Sequence, residues 1–301
     1  MPVLYVNGVE LTYTVHGGGE PVVLVTGIGA RARTWHAYQV PALVNAGYQV
    51  VTFDHRGTPP SEPCPDSLTL DDLVSDTEAL IEELALGPCR VVGVSLGALV
   101  AQELALARAD LFTQAVFMAT RGRTDTLRAA LTAAESELAD RAVRLPPRYE
   151  AVVRAMQNLS RRSLDSPSLR DWLDLFESTA VDRGSSYRAQ LQSTSIPDRL
   201  AAYRGIRVPS MVIAFQDDII TPPHLCREVA AAIPGCRYQE LPDCGHLGHV
   251  EDAPAVNAAL LDFFATPGTG VVRAVTPGEA TSAAIPPPAS GRCLGRPRGG
   301  V

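Results

Sequence analysis

Gly93-Val94-Ser95-Leu96-Gly97 sets a serine in the pattern Gly-x-Ser-x-Gly. Arg90–Val94 before it reads as a short buried strand, and Leu96–Ala107 after it reads as a helix. A strand that turns at once into a helix leaves the corner residue strained and pointing away from the sheet. Its neighbours two positions away must be small because the two backbones nearly touch, and both are glycine. Ser95 then sits at the positive end of a helix, which favours developing negative charge. A serine hydroxyl needs a base before it can attack. His246, in Asp243-Cys244-Gly245-His246, follows the strand-like run Arg237–Leu241, and His249 is a second candidate. An acid must orient that imidazole, and Asp217 and Asp218 both follow the strand-like run Ser210–Phe215. The chemistry implied is nucleophilic attack by serine on an activated carbonyl, in the chain order serine, acid, histidine.

Such residues need elements that bring positions 95, 217–218 and 246 to one edge. Val3–Val6, Asn7-Gly8 and Glu10–His16 read as a hairpin on a type I′ turn. Pro21–Thr26, Tyr48–Phe53, Arg90–Val94, Gln114–Met118, Ser210–Phe215 and Arg237–Leu241 read as strands. Helices are expected over 33–46, from a Thr69/Asp72 cap to about Gly87, and over 96–107, 222–233 and 252–264. This alternation predicts an α/β fold: a mostly parallel sheet with helices on both faces. Residues 1–120 and 201–265 would form the core. Residues 121–200 read as a helical cap in four pieces, broken at Pro146-Pro147, Pro167 and Gly184. The cap would lie over the carboxyl ends of the strands, where such sheets bind ligands. Residues 266–301 hold six prolines, seven glycines and no aromatic residue, and are expected to be a disordered tail.

The chain resembles the α/β-hydrolase family over about residues 10–265. The resemblance rests on Gly93-x-Ser95-x-Gly97, Asp218-Ile-Ile-Thr-Pro222, Gly245-His246 and Glu251-Asp-Ala-Pro254. The pattern Asp-x-x-x-Pro selects Asp218 over Asp217 as the acid. The resemblance implies a catalytic triad of Ser95, Asp218 and His246, and an oxyanion hole of backbone N–H groups. One donor would be Leu96, after the nucleophile; the other Ile28, in Thr26-Gly27-Ile28-Gly29, where the family usually reads His-Gly-x-Gly. His16-Gly17-Gly18-Gly19 precedes its strand and reads as a turn. Asp54-His-Arg-Gly-Thr-Pro-Pro-Ser61 resembles a family loop, with Pro59 for a glycine, and is expected to brace the site. His16, His55 and His224 read as loop or surface residues. Trp35, His36, Trp172 and Phe176 are candidate substrate contacts. The expected activity is hydrolysis of an ester, lactone or thioester of a small molecule through an acyl-enzyme. An acyltransferase, a cofactor-free haloperoxidase or a carbon–carbon bond hydrolase would use the same triad, and a non-catalytic ligand sensor would only bind.

Composition removes other classes. Apolar residues make up 46% of the 301, an ordinary globular balance. All 26 basic residues are arginine, which excludes a P-loop and lysine Schiff-base chemistry. Net charge is −7, and residues 266–301 carry +3 of it, so the body is more acidic still. Nucleic acid and anionic membrane are poor partners for such a surface. Six cysteines show no zinc spacing or Cys-x-x-Cys. No metal and no cofactor are implied, no membrane span is expected, and no signal peptide is visible, which together predict a cytoplasmic protein with free thiols. Oligomeric state is not readable.

Overall fold

A computed structural model of the chain describes residues 1–63, 67–141, 143–179 and 184–266. Asn7 and Gly8 both take positive φ, 47° and 77°, and turn β1 (Val3–Val6) onto β2 (Val9–Gly17) as an antiparallel hairpin. In chain order follow β3 (Pro21–Val25), a 3₁₀ segment (Ala32–Ala37), α1 (Gln39–Asn45), β4 (Gln49–Phe53) and α2 (Leu70–Glu83). Then come β5 (Cys89–Val94), α3 (Leu96–Ala107) and β6 (Phe112–Met118). The described residues of the next stretch form helices and no strand: α4 (Thr126–Asp140), α5 (Pro147–Asn158), α6 (Arg161–Leu164), α7 (Leu169–Ser178), α8 (Ser185–Ser193) and α9 (Leu200–Tyr203). The alternation resumes with β7 (Ser210–Phe215), α10 (Pro223–Ala232), β8 (Arg237–Leu241), α11 (Gly248–Glu251) and α12 (Ala253–Ala265).

The eight strands form one sheet in the order β1-β2-β4-β3-β5-β6-β7-β8, parallel from β4 to β8. Parallel strands are covered on both faces, so they read as unbroken apolar runs, and every residue of β7 is buried. The period-2 alternation still divides them. Val23, Val25, Val91, Val212 and Ala214 pack on one face with α2 and α3. Val22, Leu24, Val92, Val94, Met211, Ile213 and Phe215 pack on the other with α1 and α12. β3 lies between β4 and β5, so chain direction across the sheet reverses there. The loops leaving β3 and β5 therefore open side by side at the carboxyl edge, where doubly wound sheets hold ligands.

Three local expectations change. The single helix expected over 33–46 is two pieces parted at Tyr38 (φ −135°, ψ −58°). Proline fits only the first turn of a helix, and α1 starts at Gln39 so that Pro41 falls there. Among its described residues the four-piece stretch over 121–200 holds five helices up to Ser193, because α5 ends at Asn158 and Ser160 starts a new helix, capping α6 through its hydroxyl, 3.2 Å from Ser163 N. His55 is not a surface residue: it is fully buried against the Phe53 ring. The capping box on α2 forms as expected, with Thr69 and Asp72 exchanging hydrogen bonds. The expected tail lies, beyond Thr266, outside the described residues.

Candidate active site

β5 passes into α3 with a single residue between them, Ser95, at φ 56° and ψ −116°. A non-glycine residue at positive φ is strained, and here the strain turns the side chain out of the sheet edge. The glycine requirement is steric. A Cβ on Gly93 would lie 2.2 Å from Gly97 O, and one on Gly97 would lie 2.2 Å from Val25 O. Neither contact can be relieved by a side-chain movement, since both neighbours are backbone.

Ser95 Oγ lies 3.0 Å from His246 Nε2, and His246 Nδ1 lies 2.8 Å from Asp218 Oδ2. Asp218 is buried and its orientation is over-determined. Its Oδ1 accepts the Ile220 and Thr221 N–H groups at 2.8 and 2.9 Å, and its Oδ2 accepts the Thr221 hydroxyl at 2.6 Å. Asp217 faces away and accepts the Arg161 N–H at 3.0 Å, at the start of α6. The His246 loop is pinned to the cap by Glu251, a buried carboxylate. Glu251 accepts the Gly245 N–H at 2.7 Å and the Ser160 N–H and hydroxyl at 2.9 and 2.8 Å. Gly245 is glycine for a reason of space, since a Cβ there would lie 2.5 Å from the Leu159 carbonyl carbon.

The loop after β3 leans on Ser95: a Cβ on Gly27 would lie 3.3 Å from Ser95 Cβ. Leu96 heads α3, so its N–H has no acceptor within its own helix. Ile28 stands between Gly27 and Gly29, and Gly29 takes φ +60°. Gln190 of α8, fully buried, holds this loop: its Oε1 accepts the Gly29 N–H at 2.9 Å. Its Nε2 donates to Arg56 O at 2.7 Å and to Thr58 Oγ1 at 3.0 Å. The Asp54–Ser61 loop thus braces the β3 loop twice, since Asp54 Oδ1 also accepts the Ala32 N–H at 2.6 Å. Burial raises the Asp54 carboxyl above the usual carboxylate range, against the pull of that N–H and of Arg31 and Arg33. Nothing in the local sequence marks Gln190, which is 161 residues from its partner. Glu251 carried a motif but no role.

The four candidate substrate contacts each touch neighbouring elements. Trp35 is fully buried and its ring lies 5.1 Å from that of His249. His36 Nε2 sits 3.1 and 3.4 Å from the hydroxyls of Thr52 and Thr14, on neighbouring strands. Trp172 and Phe176, one turn apart on α7, pack against α5 together with Leu247. Their apolar bulk serves contacts between elements, which spacing along one helix does not distinguish from ligand contacts. His249 is buried against Trp35, and burial, with help from His246, pulls it down to about 3. Among the described residues no group of three His, Cys, Asp or Glu side chains could hold a metal ion, and no helix is long and apolar enough to cross a membrane.

A sequence model of the alpha/beta hydrolase family matches residues 22–259. A Mycobacterium tuberculosis H37Rv protein named non-heme bromoperoxidase BpoC is 47% identical, over 86% of this chain and 98% of that one. Its crystal structure superposes with a TM-score of 0.83 over 86% of this chain and 97% of that chain, at 46% identity. The crystal structure of an enol-lactonase from Burkholderia xenovorans LB400 superposes with a TM-score of 0.76 over 88% of this chain and the whole of that one, at 26% identity. A Variovorax paradoxus protein named carbamate hydrolase RutD is 29% identical over 85% of this chain and 96% of that one. With these matches and with Ser95 at the turn from β5 into α3, the chain belongs to the alpha/beta hydrolase family.

Proposed function

We propose that the protein is a serine hydrolase that cleaves an ester, lactone or thioester of a small molecule through an acyl-enzyme. The observation that carries this reading is the row Ser95 Oγ–His246 Nε2–Asp218 Oδ2, at 3.0 and 2.8 Å, raised on a strained corner. In that row Ser95 donates its O–H to Nε2, and Nδ1–H donates to Asp218. As Oγ attacks the substrate carbonyl carbon, the hydroxyl proton passes to Nε2, and Asp218 stabilises the imidazolium. The carbonyl oxygen becomes an oxyanion facing the N–H groups of Ile28 and Leu96 at the positive end of α3. The tetrahedral intermediate collapses by breaking the bond to the leaving group, which takes the proton from Nε2. Water then attacks the acyl carbon, gives its proton to Nε2, and the acid departs as Oγ recovers that proton.

Two of the relatives' names agree on the reacting group. Enol-lactonase and carbamate hydrolase both denote attack at a carbonyl carbon bearing a heteroatom. The name bromoperoxidase on the 47% identical relative favours a second reading. There hydrogen peroxide replaces water at the acyl-enzyme and leaves as a peracid, which oxidises bromide. Both readings need the same acyl-enzyme.

The test is labelling with a fluorophosphonate followed by peptide mass spectrometry, then turnover of matched ester, lactone and thioester series. Label on Ser95, lost in Ser95→Ala, together with Ser95-dependent turnover supports the reading. Label elsewhere, or full turnover by Ser95→Ala, overturns it. Adding peroxide to a turning-over ester separates the two acceptors, because only the second yields a peracid.

A further inference from the structure

Among the described residues, one buried arginine and two partly buried ones are each paired with a carboxylate fork. Arg56 is held by Asp76, with Nε 2.5 Å from Oδ2, and is buried with it. Arg123 grips Glu228, and Arg199 grips Glu103, each through two nitrogens. Arg121 and Arg128 depart from this pattern. They are 4% and 6% exposed, and among the described residues neither forms an ion pair with an acid. Arg121 Nε, Arg128 Nε and Nη2, and the hydroxyl of Thr132 are all buried without a hydrogen-bond partner. The side-chain partner Arg121 has is a neutral one, Thr194 O, to which Nη2 donates. Asp125 pulls on Arg121 electrostatically, but its Oδ1 accepts the Arg128 backbone N–H at 2.8 Å, where it caps α4.

The position of this pair matters more than its isolation. Arg121 is three residues past Met118, whose carbonyl accepts the Ser95 N–H at 3.0 Å. Its backbone is fixed by the Gln102 amide of α3, which donates to Arg121 O at 3.2 Å. Arg128 and Thr132 are one turn apart on the buried side of α4, and α4 packs against α8. α8 carries Tyr187 and Gln190, the two residues that press on and hold Gly29 of the loop beside Ser95. Thr194, which meets the Arg121 guanidinium, is four residues beyond Gln190, about 6 Å along a helix axis. The Arg121 guanidinium thus meets α8 about one helical turn from Gln190, the residue that holds the loop beside Ser95, and Arg128 sits on α4, which packs on the same helix.

Burial first and Arg128 second pull Arg121 down to about 10, so it stays charged at neutral pH. A water molecule can fill a hydrogen bond but cannot neutralise two desolvated like charges. A guanidinium pair satisfies a carboxylate by parallel N–H···O bonds, and a hydroxyl one turn away supplies a further donor. We propose that Arg121, Arg128 and Thr132 form a carboxylate-binding subsite, so that the acyl substrate of Ser95 carries an anionic carboxylate besides its scissile bond. This rests on the serine-hydrolase reading for the scissile bond, but not for the binding of the anion.

The experiment compares mono-4-nitrophenyl esters of succinate, glutarate and adipate with 4-nitrophenyl esters of uncharged straight-chain acids of the same length. The expected result is that kcat/KM for at least one half-ester exceeds that of its uncharged match by about 10-fold or more. Arg128→Gln should lower that ratio by about 10-fold or more, chiefly through KM, and Arg128→Lys should recover part of it. A ratio at or below one at every chain length, or a ratio unmoved in Arg128→Gln, overturns the proposal. If Arg128→Gln does not fold, the wild-type ratio and Arg121→Gln decide. If no ester is turned over, the hydrolase reading has failed on its own. The subsite is then judged by calorimetric titration of wild type with glutarate. Binding that is lost in Arg128→Gln supports it, and no binding up to about 10 mM overturns it.

Discussion

Exchanging Asp218 for Asn changes one oxygen into an NH2 group and should disable His246 without moving it. Oδ1 of Asp218 faces two backbone N–H donors, from Ile220 and Thr221 at 2.8 and 2.9 Å. An NH2 group cannot point at them, so in Asp218→Asn the amide oxygen must take that place. The NH2 then takes the place of Oδ2, 2.8 Å from His246 Nδ1. The Thr221 hydroxyl, 2.6 Å from Oδ2, can rotate to accept. The imidazole has no such freedom: it must offer a lone pair at Nδ1 and carry its proton on Nε2. Nε2 then faces Ser95 Oγ at 3.0 Å as a donor and cannot take the hydroxyl proton. A wrong tautomer of this kind costs about 10⁴ in kcat, roughly 5.5 kcal/mol of transition-state stabilisation. Asp217→Asn is the control. Asp217 accepts the exposed Arg161 N–H at 3.0 Å, and the change should keep kcat within about 3-fold. The assay is kcat on a turning-over 4-nitrophenyl ester for both variants, with unfolding midpoints showing that each is folded. Retention of more than about a tenth of kcat by Asp218→Asn would refute the argument, as would an equal loss in Asp217→Asn.

Three further outcomes follow from the packing. Gly97→Ala puts a methyl 2.2 Å from Val25 O and 2.7 Å from Thr26 O, so urea unfolding should show a loss on the order of 3 kcal/mol. Gly18→Ala, with nothing within 4 Å of the added carbon, should stay within about 0.5 kcal/mol; equal effects would sink the steric account. Buried His55 and His249 are pulled down to about 4 and about 3 by desolvation, while the unfolded chain takes up protons near the ordinary histidine value of about 6.5. Between those values the unfolded state binds more protons, so stability must fall as pH drops below about 6.5, by about 2 kcal/mol per histidine from pH 7 to 5. Urea midpoints across that range check this, and His249→Phe should remove about half of the histidine contribution; an identical slope would contradict it. Gln190→Leu leaves the Gly29 N–H and Arg56 O without their amide partner, and should lower kcat more than it raises KM if the loop it holds supplies the proposed oxyanion donor Ile28.

Much of the architecture was legible because its signals are local. The Asn7-Gly8 turn, the Thr69/Asp72 capping box and the glycines around Ser95 each act over two to four residues. The apolar runs of the parallel strands announce burial on both faces before any partner strand is known, and residue types alone placed a serine, a histidine and an aspartate pair at strand ends. The tertiary structure decided what depends on distant chain. Asp217 and Asp218 are neighbours with the same chemistry; the Asp-x-x-x-Pro pattern favours Asp218, but that Asp217 turns instead to the cap, at Arg161, follows only from packing across 56 residues. Trp35 and His249, 5.1 Å apart as rings, became core because two elements from opposite ends of the chain close over them. Gln190, Arg121 and Arg128 carry no motif, and the motif at Glu251 names no contact for it. Their roles follow from burial and from the polar atoms they meet or fail to meet across 70 to 160 residues of sequence, and composition and spacing hold no record of contacts that long-range packing creates.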